Sequence, residues 1–305
     1  MADDRTPPPP SLVCCGLTTL DVVQVVDAVP GPDQKVVARD LHVAFGGPAA
    51  NAAATTVALG VRTTLVTALG DGPVADLVRA GLRDAGVEVV DLLAGRPADP
   101  PVSTVLVTAS TGQRAVASTN ATGRPDDLGP AARAALDVLS GATALLVDGH
   151  HLAAAVVLAA EAGRQGVPVL LDGGSWKPGL ASLLAHVDVA VLSGDFRLPG
   201  AADDGPDRLL EAVAALGPSV VARSAGGGAV RVRLGARYDE VVPPPLAPGE
   251  LVDTLGAGDV LHGAMGAALA RGRDPLTALR GAVPVATGSC RPAGALGGVP
   301  SSARH

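Results

Sequence analysis

The clearest chemistry lies in seven residues, Asp253-Thr254-Leu255-Gly256-Ala257-Gly258-Asp259. A β-type run from Tyr238 to Val242 precedes them, and a helical pattern follows to Arg271, where Gly272 supplies a stop. Gly256, Ala257 and Gly258 have almost no side chain, so their backbone N–H groups can approach a ligand closely. They stand where the helix begins, and open N–H groups together with the positive end of the helix dipole favour an anion there. Asp259 falls in the first turn, beside that anion. A carboxylate next to a bound phosphate can take the proton of an attacking hydroxyl. The plainer reading is a glycine-rich turn whose Asp merely complements the dipole, and these seven residues alone favour neither.

A second cluster, Gly46-Gly47-Pro48-Ala49-Ala50-Asn51-Ala52-Ala53, lies roughly 200 residues upstream. Pro48 to Leu59 reads as a helix with proline in its first turn and Gly60 as C-cap. Asn51 then sits in the opening turn, beside a glycine bend that lets a ligand touch the backbone. Its amide can both donate to and accept from a hydroxyl; otherwise it is a helix-entry Asn. The two clusters together resemble the C-terminal and N-terminal signatures of the ribokinase-like (PfkB) carbohydrate kinases, over most of the chain from about Ser11 to Pro300.

The elements that must hold these motifs follow a simple rhythm. Arg62–Thr67, Thr143–Val147, Val167–Leu171, Val187–Leu192 and Ser219–Ala222 read as strands. Helical patterns at 74–84, 152–164 and 206–216 separate them. Such alternation implies an α/β fold with a mostly parallel sheet and helices on both faces, its ligand loops at the carboxyl ends of the strands. Asp274-Pro275 starts a further helix, which Pro284 is expected to kink or end. Val22–Val26 with Lys35–Val43, and Thr104–Thr108 with Arg114–Ser118, read as hairpins. The resemblance implies a three-layer ribokinase-like fold in which residues 22–45 and 103–119 form a small β-sheet lid over the sugar. Residues 1–10, rich in proline, are expected to be a disordered tail, and 11–305 one kinase domain.

The resemblance also implies roles. Asp259 would be the general base, with Gly256, Ala257 and Gly258 stabilising the transferring phosphoryl group. Asp21, at the end of the first strand, would hold sugar hydroxyls together with Gly46, Gly47 and Asn51. Ser224 to Ala229 stands where the family has a nucleotide loop, so Ala225 and Gly228, with Ser193 and Thr254, are expected at ATP. Lys177, in Ser175-Trp176-Lys177-Pro178, is similar to a Lys-Pro facing the phosphates in the ketohexokinase branch; the alternative is an exposed lysine before a turn. Asp253 and the Cys290–Gly294 loop would frame a monovalent-cation (K⁺) site, and Mg²⁺ would accompany the nucleotide. Two elements depart from the pattern. Ser193-Gly194-Asp195-Phe196 replaces the Asn-x-x-Glu that helps hold Mg²⁺, with Asp195 as the substitute, and Gly70-Asp71-Gly72-Pro73 is an abbreviated turn.

Composition excludes several classes. A net charge of −7 with no basic run argues against a nucleic-acid surface. No apolar run is long enough to span a membrane, and the acidic start lacks a signal-peptide core. Cys14, Cys15 and Cys290 form neither a disulfide framework nor a zinc pattern, so reduced thiols in a cytoplasmic protein are expected. No Gly-x-Gly-x-x-Gly follows a strand and no Gly-Lys pair exists, against a dinucleotide enzyme or a Walker NTPase.

The expectation is therefore an ATP-dependent kinase of a sugar primary hydroxyl, dimeric through its lid. A nucleoside kinase would need aromatic rings for its base, and aromatics are only 1% of this chain. A non-catalytic sugar-binding protein would have no need of Asp259. Segments including Val37-Ala38-Arg39, Val252 to Asp259 and Arg291-Pro292 resemble the ketohexokinase and sulfofructose kinase branches, which implies a ketose. His150 stands where a sulfonate-binding arginine is expected; being largely neutral near pH 7, it points to a neutral sugar, or else is a plain loop residue.

Overall fold

The computed structural model describes residues 8–120, 127–200, 205–292 and 294–296. Two sheets organise them. The larger has nine strands in the order β13-β12-β11-β10-β9-β8-β1-β4-β5. These are β1 (Ser11–Cys15), β4 (Arg62–Thr67), β5 (Glu88–Asp91), β8 (Ala144–Val147), β9 (Val169–Gly173), β10 (Val189–Leu192), β11 (Val220–Ala225), β12 (Gly228–Leu234) and β13 (Arg237–Val241). Pairing is parallel from β5 across to β11, and β12 and β13 add an antiparallel edge.

Both faces of the central strands are buried, which explains their continuous apolar runs. Alternate residues divide between two cores. Leu12, Cys14, Leu146, Leu170 and Val191 face α1 (Pro48–Ala58), α2 (Pro73–Asp84), α7 (Ala257–Ala270) and α8 (Pro275–Ser289). Val13, Cys15, Val147, Leu171 and Leu192 face α3 (Gly129–Ala134), α4 (Leu152–Gln165), α5 (Leu180–Leu184) and α6 (Pro206–Ala214). The cysteines are thus core residues, and burial pushes the Cys14 and Cys15 thiols far above their ordinary range. With helices on both faces this is the three-layer α/β arrangement expected.

The smaller sheet has the order β3-β2-β6-β7, from β2 (Thr19–Val26), β3 (Asp40–Gly46), β6 (Val102–Thr108) and β7 (Arg114–Ser118). Its two hairpins are joined by parallel pairing of β2 with β6.

Three readings need correction. Lys35 to Arg39 is not strand; β3 begins at Asp40 opposite Val25, and although the Arg39 N–H still reaches the Val25 carbonyl, residues 35–38 lie past the end of β2 at Val26. Pro284 neither ends nor splits α8, which continues to Ser289. Pro284 and Arg280 lie on the exposed side, so the carbonyl that loses its partner can be solvated. β12 has no counterpart in the sequence reading, because Gly226 to Gly228 looked like loop rather than a tight turn between paired strands. The expected tail lies outside the described residues as far as residue 7, as does Ala293 of the loop after α8.

Candidate active site

The carboxyl ends of β1, β8, β9 and β10 converge with the N-termini of α1 and α7. Helix α7 starts as anticipated. Gly256 is its N-cap at φ 71°, and a Cβ there would lie 2.7 Å from the Ala295 carbonyl oxygen, so only glycine is accommodated without movement. The first turn closes when the Val260 N–H reaches the Gly256 carbonyl. The Ala257 N–H turns back to the Thr254 carbonyl at 3.3 Å, while helix starts leave further N–H groups without an intrahelical partner. Above Gly258 there is open space.

Asp259 lies half-buried in this turn, and its carboxylate Oδ2 accepts a 2.7 Å hydrogen bond from Asn51 Nδ2. The two sequence motifs, 208 residues apart, therefore meet in one contact. The other amide atom, Asn51 Oδ1, is buried without a partner and can accept from a hydroxyl. Burial, reinforced by the nearby Asp172 carboxylate, raises Asp259 to a pKa of about 7; the Asn51 bond and His262 oppose that rise, and Asp148 adds to it.

The bend before α1 is equally specific. Gly47 has φ 96° and abuts the Leu17 carbonyl, while a Cβ on Gly46 would fall 2.0 Å from Asp21 Oδ2. Asp21, expected at the end of the first strand, lies instead within β2, because residues 19–26 pair with β3; it accepts from Thr19 Oγ1 at 2.7 Å and sits opposite Ala44. Gly46, Gly47, Asn51 and Asp21 are thus brought to one wall.

The floor was not foreseen as a unit. Asp148, after β8, accepts from the N–H groups of Leu17 (2.7 Å), Ala49 (3.2 Å) and His150 (2.8 Å). It thereby fixes the bend after β1, the first turn of α1 and the loop carrying His150. Asp172 ends β9, and His262 lies one turn beyond Asp259 with Nδ1 3.2 Å from Asp172 Oδ2. Lys177 reaches this floor beside Gly149. Desolvation lowers the pKa of both Lys177 and His150, with Asp148 and Asp172 opposing. The clue available in the sequence was an Asp at the carboxyl end of each of two neighbouring strands.

The remaining predicted residues lie farther out. Ser193 Oγ donates to the Gly174 carbonyl (2.8 Å). Ala225 and Gly228 pair across the β11–β12 turn. Thr254 Oγ1 accepts from Arg114 Nη2 of lid strand β7 at 2.7 Å. Asp253 accepts from the N–H groups of Leu255 (2.8 Å) and Gly294 (3.0 Å), with Arg114 at 3.5 Å. Its carboxylate thus ties the loop before α7 to the loop after α8 and to the lid. A preformed metal site does not fit these residues. Among the described residues no group of three or more His, Cys, Asp or Glu side chains could hold a metal. Phe196, where the resemblance places a Glu, is fully buried edge-on to Trp176.

A three-layer α/β sheet, a separate four-stranded sheet, and a half-buried carboxylate in the first turn of a glycine-led helix define a small-molecule phosphotransferase class. Residues 9–301 match the model of the pfkB family of carbohydrate kinases. The chain belongs to that family. A 105-residue stretch is 32% identical to mouse ketohexokinase, spanning 34% of this chain and 35% of that relative's length. The fold matches Arabidopsis thaliana ribokinase complexed with ribose and ATP, at a TM-score of 0.75 and 22% identity over 95% of both chains. It also matches Escherichia coli phosphofructokinase-2 in complex with potassium, at 0.74 and 19% over 93% and 94%. No helix among the described residues is long and apolar enough to cross a membrane.

Proposed function

We propose that the protein transfers the γ-phosphate of ATP to a primary hydroxyl of a neutral ketose, with Asp259 as general base. The observation that carries this reading is the Asn51–Asp259 hydrogen bond. It sets a base with a pKa near 7 between a sugar-binding wall and an anion-binding helix start. Asp259 takes the hydroxyl proton as the oxygen attacks. The Gly256 and Gly258 N–H groups face the charge on the transferring phosphoryl group, and the Ala257 N–H joins them once it leaves the Thr254 carbonyl. Asn51 and Asp21 orient the hydroxyls. Mg²⁺ neutralises nucleotide phosphates where it is bound, but these residues build no site for it, and the steps above rest on the chain's own groups. Asp253, already engaged by two N–H groups and a guanidinium, likewise gives a monovalent cation no assigned step.

Charge balance supports a neutral sugar. Lys177 and His150 face Asp148 and Asp172, and Arg114 is taken up by Asp253 and Thr254. The aromatic rings also have structural partners: Phe45 lies against Gly81, Phe196 against Trp176, and Tyr238 bonds Glu211, which disfavours a nucleoside base. On the small sheet, Leu41 and Val43 extend the face of Phe45 beyond the core and are exposed, and we assign that surface to a second copy of the chain.

A coupled ATP-consumption assay over a panel of neutral, phosphorylated and sulfonated sugars tests the reading. A neutral ketose is expected to give the highest kcat/KM. An anionic sugar better than every neutral one by about tenfold or more overturns the substrate assignment, and the absence of any transfer overturns the activity.

A further inference from the structure

We propose that Asp172 and His262 form a buried positioning pair for Asp259. They pin the first turn of α7 to the carboxyl ends of β9 and β10, and their opposite charges govern how readily Asp259 holds its proton. The proposal rests on the reading of Asp259 as the base.

The geometry is that of a bolt. His262 follows Asp259 by three residues, so the two share a helix face. Its Nδ1 lies 2.7 Å from the Gly258 carbonyl oxygen and 3.2 Å from Asp172 Oδ2, and its Nε2 lies 3.2 Å from the Val191 carbonyl oxygen. One imidazole therefore joins the turn that carries the base to two adjacent core strands. All three neighbouring atoms are oxygens, so each ring nitrogen has an acceptor within reach, and Asp172 is the acidic group among them. Both residues are buried, His262 at 5% and Asp172 at 8% exposure, where charges act on one another with little screening.

The groups around Asp259 come from every element packed against it. Asn51 reaches it from α1, Asp172 from β9, His262 from α7 itself and Asp148 from the end of β8; His150 and Lys177 lie beyond, against the same two carboxylates. Asp148 differs from Asp172 in being held by three backbone N–H groups, which fix its carboxyl group in place. Asp172 has the imidazole instead, and its carboxylate acts to keep a proton on Asp259 while His262 acts to release it.

Opposite signs make the pair testable. The full-length protein is labelled with [¹³Cγ]aspartate, and carboxyl-carbon NMR is followed against pH for the wild type, Asp172→Asn and His262→Gln. The Asp259 signal is identified by its loss in Asp259→Asn. The titration midpoint of Asp259 is expected to fall in Asp172→Asn and to rise in His262→Gln, each by about half a pH unit or more. The acidic limb of the sugar-phosphorylation profile is expected to move the same way. Midpoints that stay put, or that move together, overturn the proposal and leave the pair as packing. Thermal unfolding of each variant is recorded; if one does not fold, the sign of the shift in the other decides. Failure of the base assignment looks different: Asp259→Asn would keep its turnover whatever the NMR midpoints show.

Discussion

The nine-stranded sheet and the four-stranded lid solve different problems with similar strands. In the large sheet, Leu12 to Cys15, Ala144 to Val147 and Val189 to Leu192 are buried on both faces, so every residue is held by packing. The small sheet is packed only in part: Val105 at its centre is buried, whereas its register partner Val116 on the edge strand is 60% exposed and Leu41 58%. Asp259, Asp148, Asp172 and His262 all stand on the rigid sheet or its helices. Asp21 and Arg114 reach the site from the lid. On the proposed reading, the core, where packing holds every residue, carries the proton-transfer groups, and the less covered small sheet carries Asp21 for the sugar.

Breaking the core side gives the largest effect. Asp259→Asn is expected to lower kcat by about 10²- to 10⁴-fold with sugar affinity within about a few-fold, because a base acts in the transition state. Retention of more than about a tenth of wild-type kcat in steady-state assays removes the assignment. The same variant reports on stability. Asp259 rises from 3.8 to about 7 on folding, so the folded state binds the extra proton. Its contribution is fully present below the unfolded value and is lost as pH rises through about 7. Thermal unfolding should show Asp259→Asn more stable than wild type above that value, with the gap closing towards pH 4. A constant gap across the range contradicts the shift.

A sharper comparison sets Asn51→Ala against Asp21→Ala. Each lost hydrogen bond is worth about 0.5–3 kcal/mol. Asp21, on the lid, should raise the sugar KM with little change in kcat. Asn51, bonded to Asp259, should raise KM and lower kcat together, and ATP affinity should survive both. Identical kinetic signatures for the two variants would erase the distinction between lid and core. The smallest effect on chemistry is expected from Leu41→Lys with Val43→Lys, which should weaken self-association in analytical ultracentrifugation while kcat changes by less than about two-fold. An unchanged sedimentation profile would remove the second copy from that face of the small sheet.

Much of this was legible along the chain because it is encoded locally. Strand β4 and the bulk of α2 and α4 followed from apolar periodicity bounded by Gly and Pro. The glycines at 46, 47 and 256 marked bends that only glycine fits, and positions 51 and 259 were readable from helix starts and from their resemblance to the family signatures. What could not be read was whatever depends on partners distant in sequence. Asp148, Asp172 and His262 are ordinary residues until right-handed crossovers bring the ends of β8 and β9 under α7. The start of β3 depended on which residues of β2 were left to pair, and the continuity of α8 on Pro284 facing outward. By itself the sequence determined the alternating fold, the two motifs and the acidic group at the helix start, since these rest on backbone conformation and neighbours a few residues away. The tertiary structure alone decided that Asn51 touches Asp259, and that burial among other carboxylates lifts that Asp to about 7. Desolvation and Coulomb interaction depend on distances through the fold rather than along the chain.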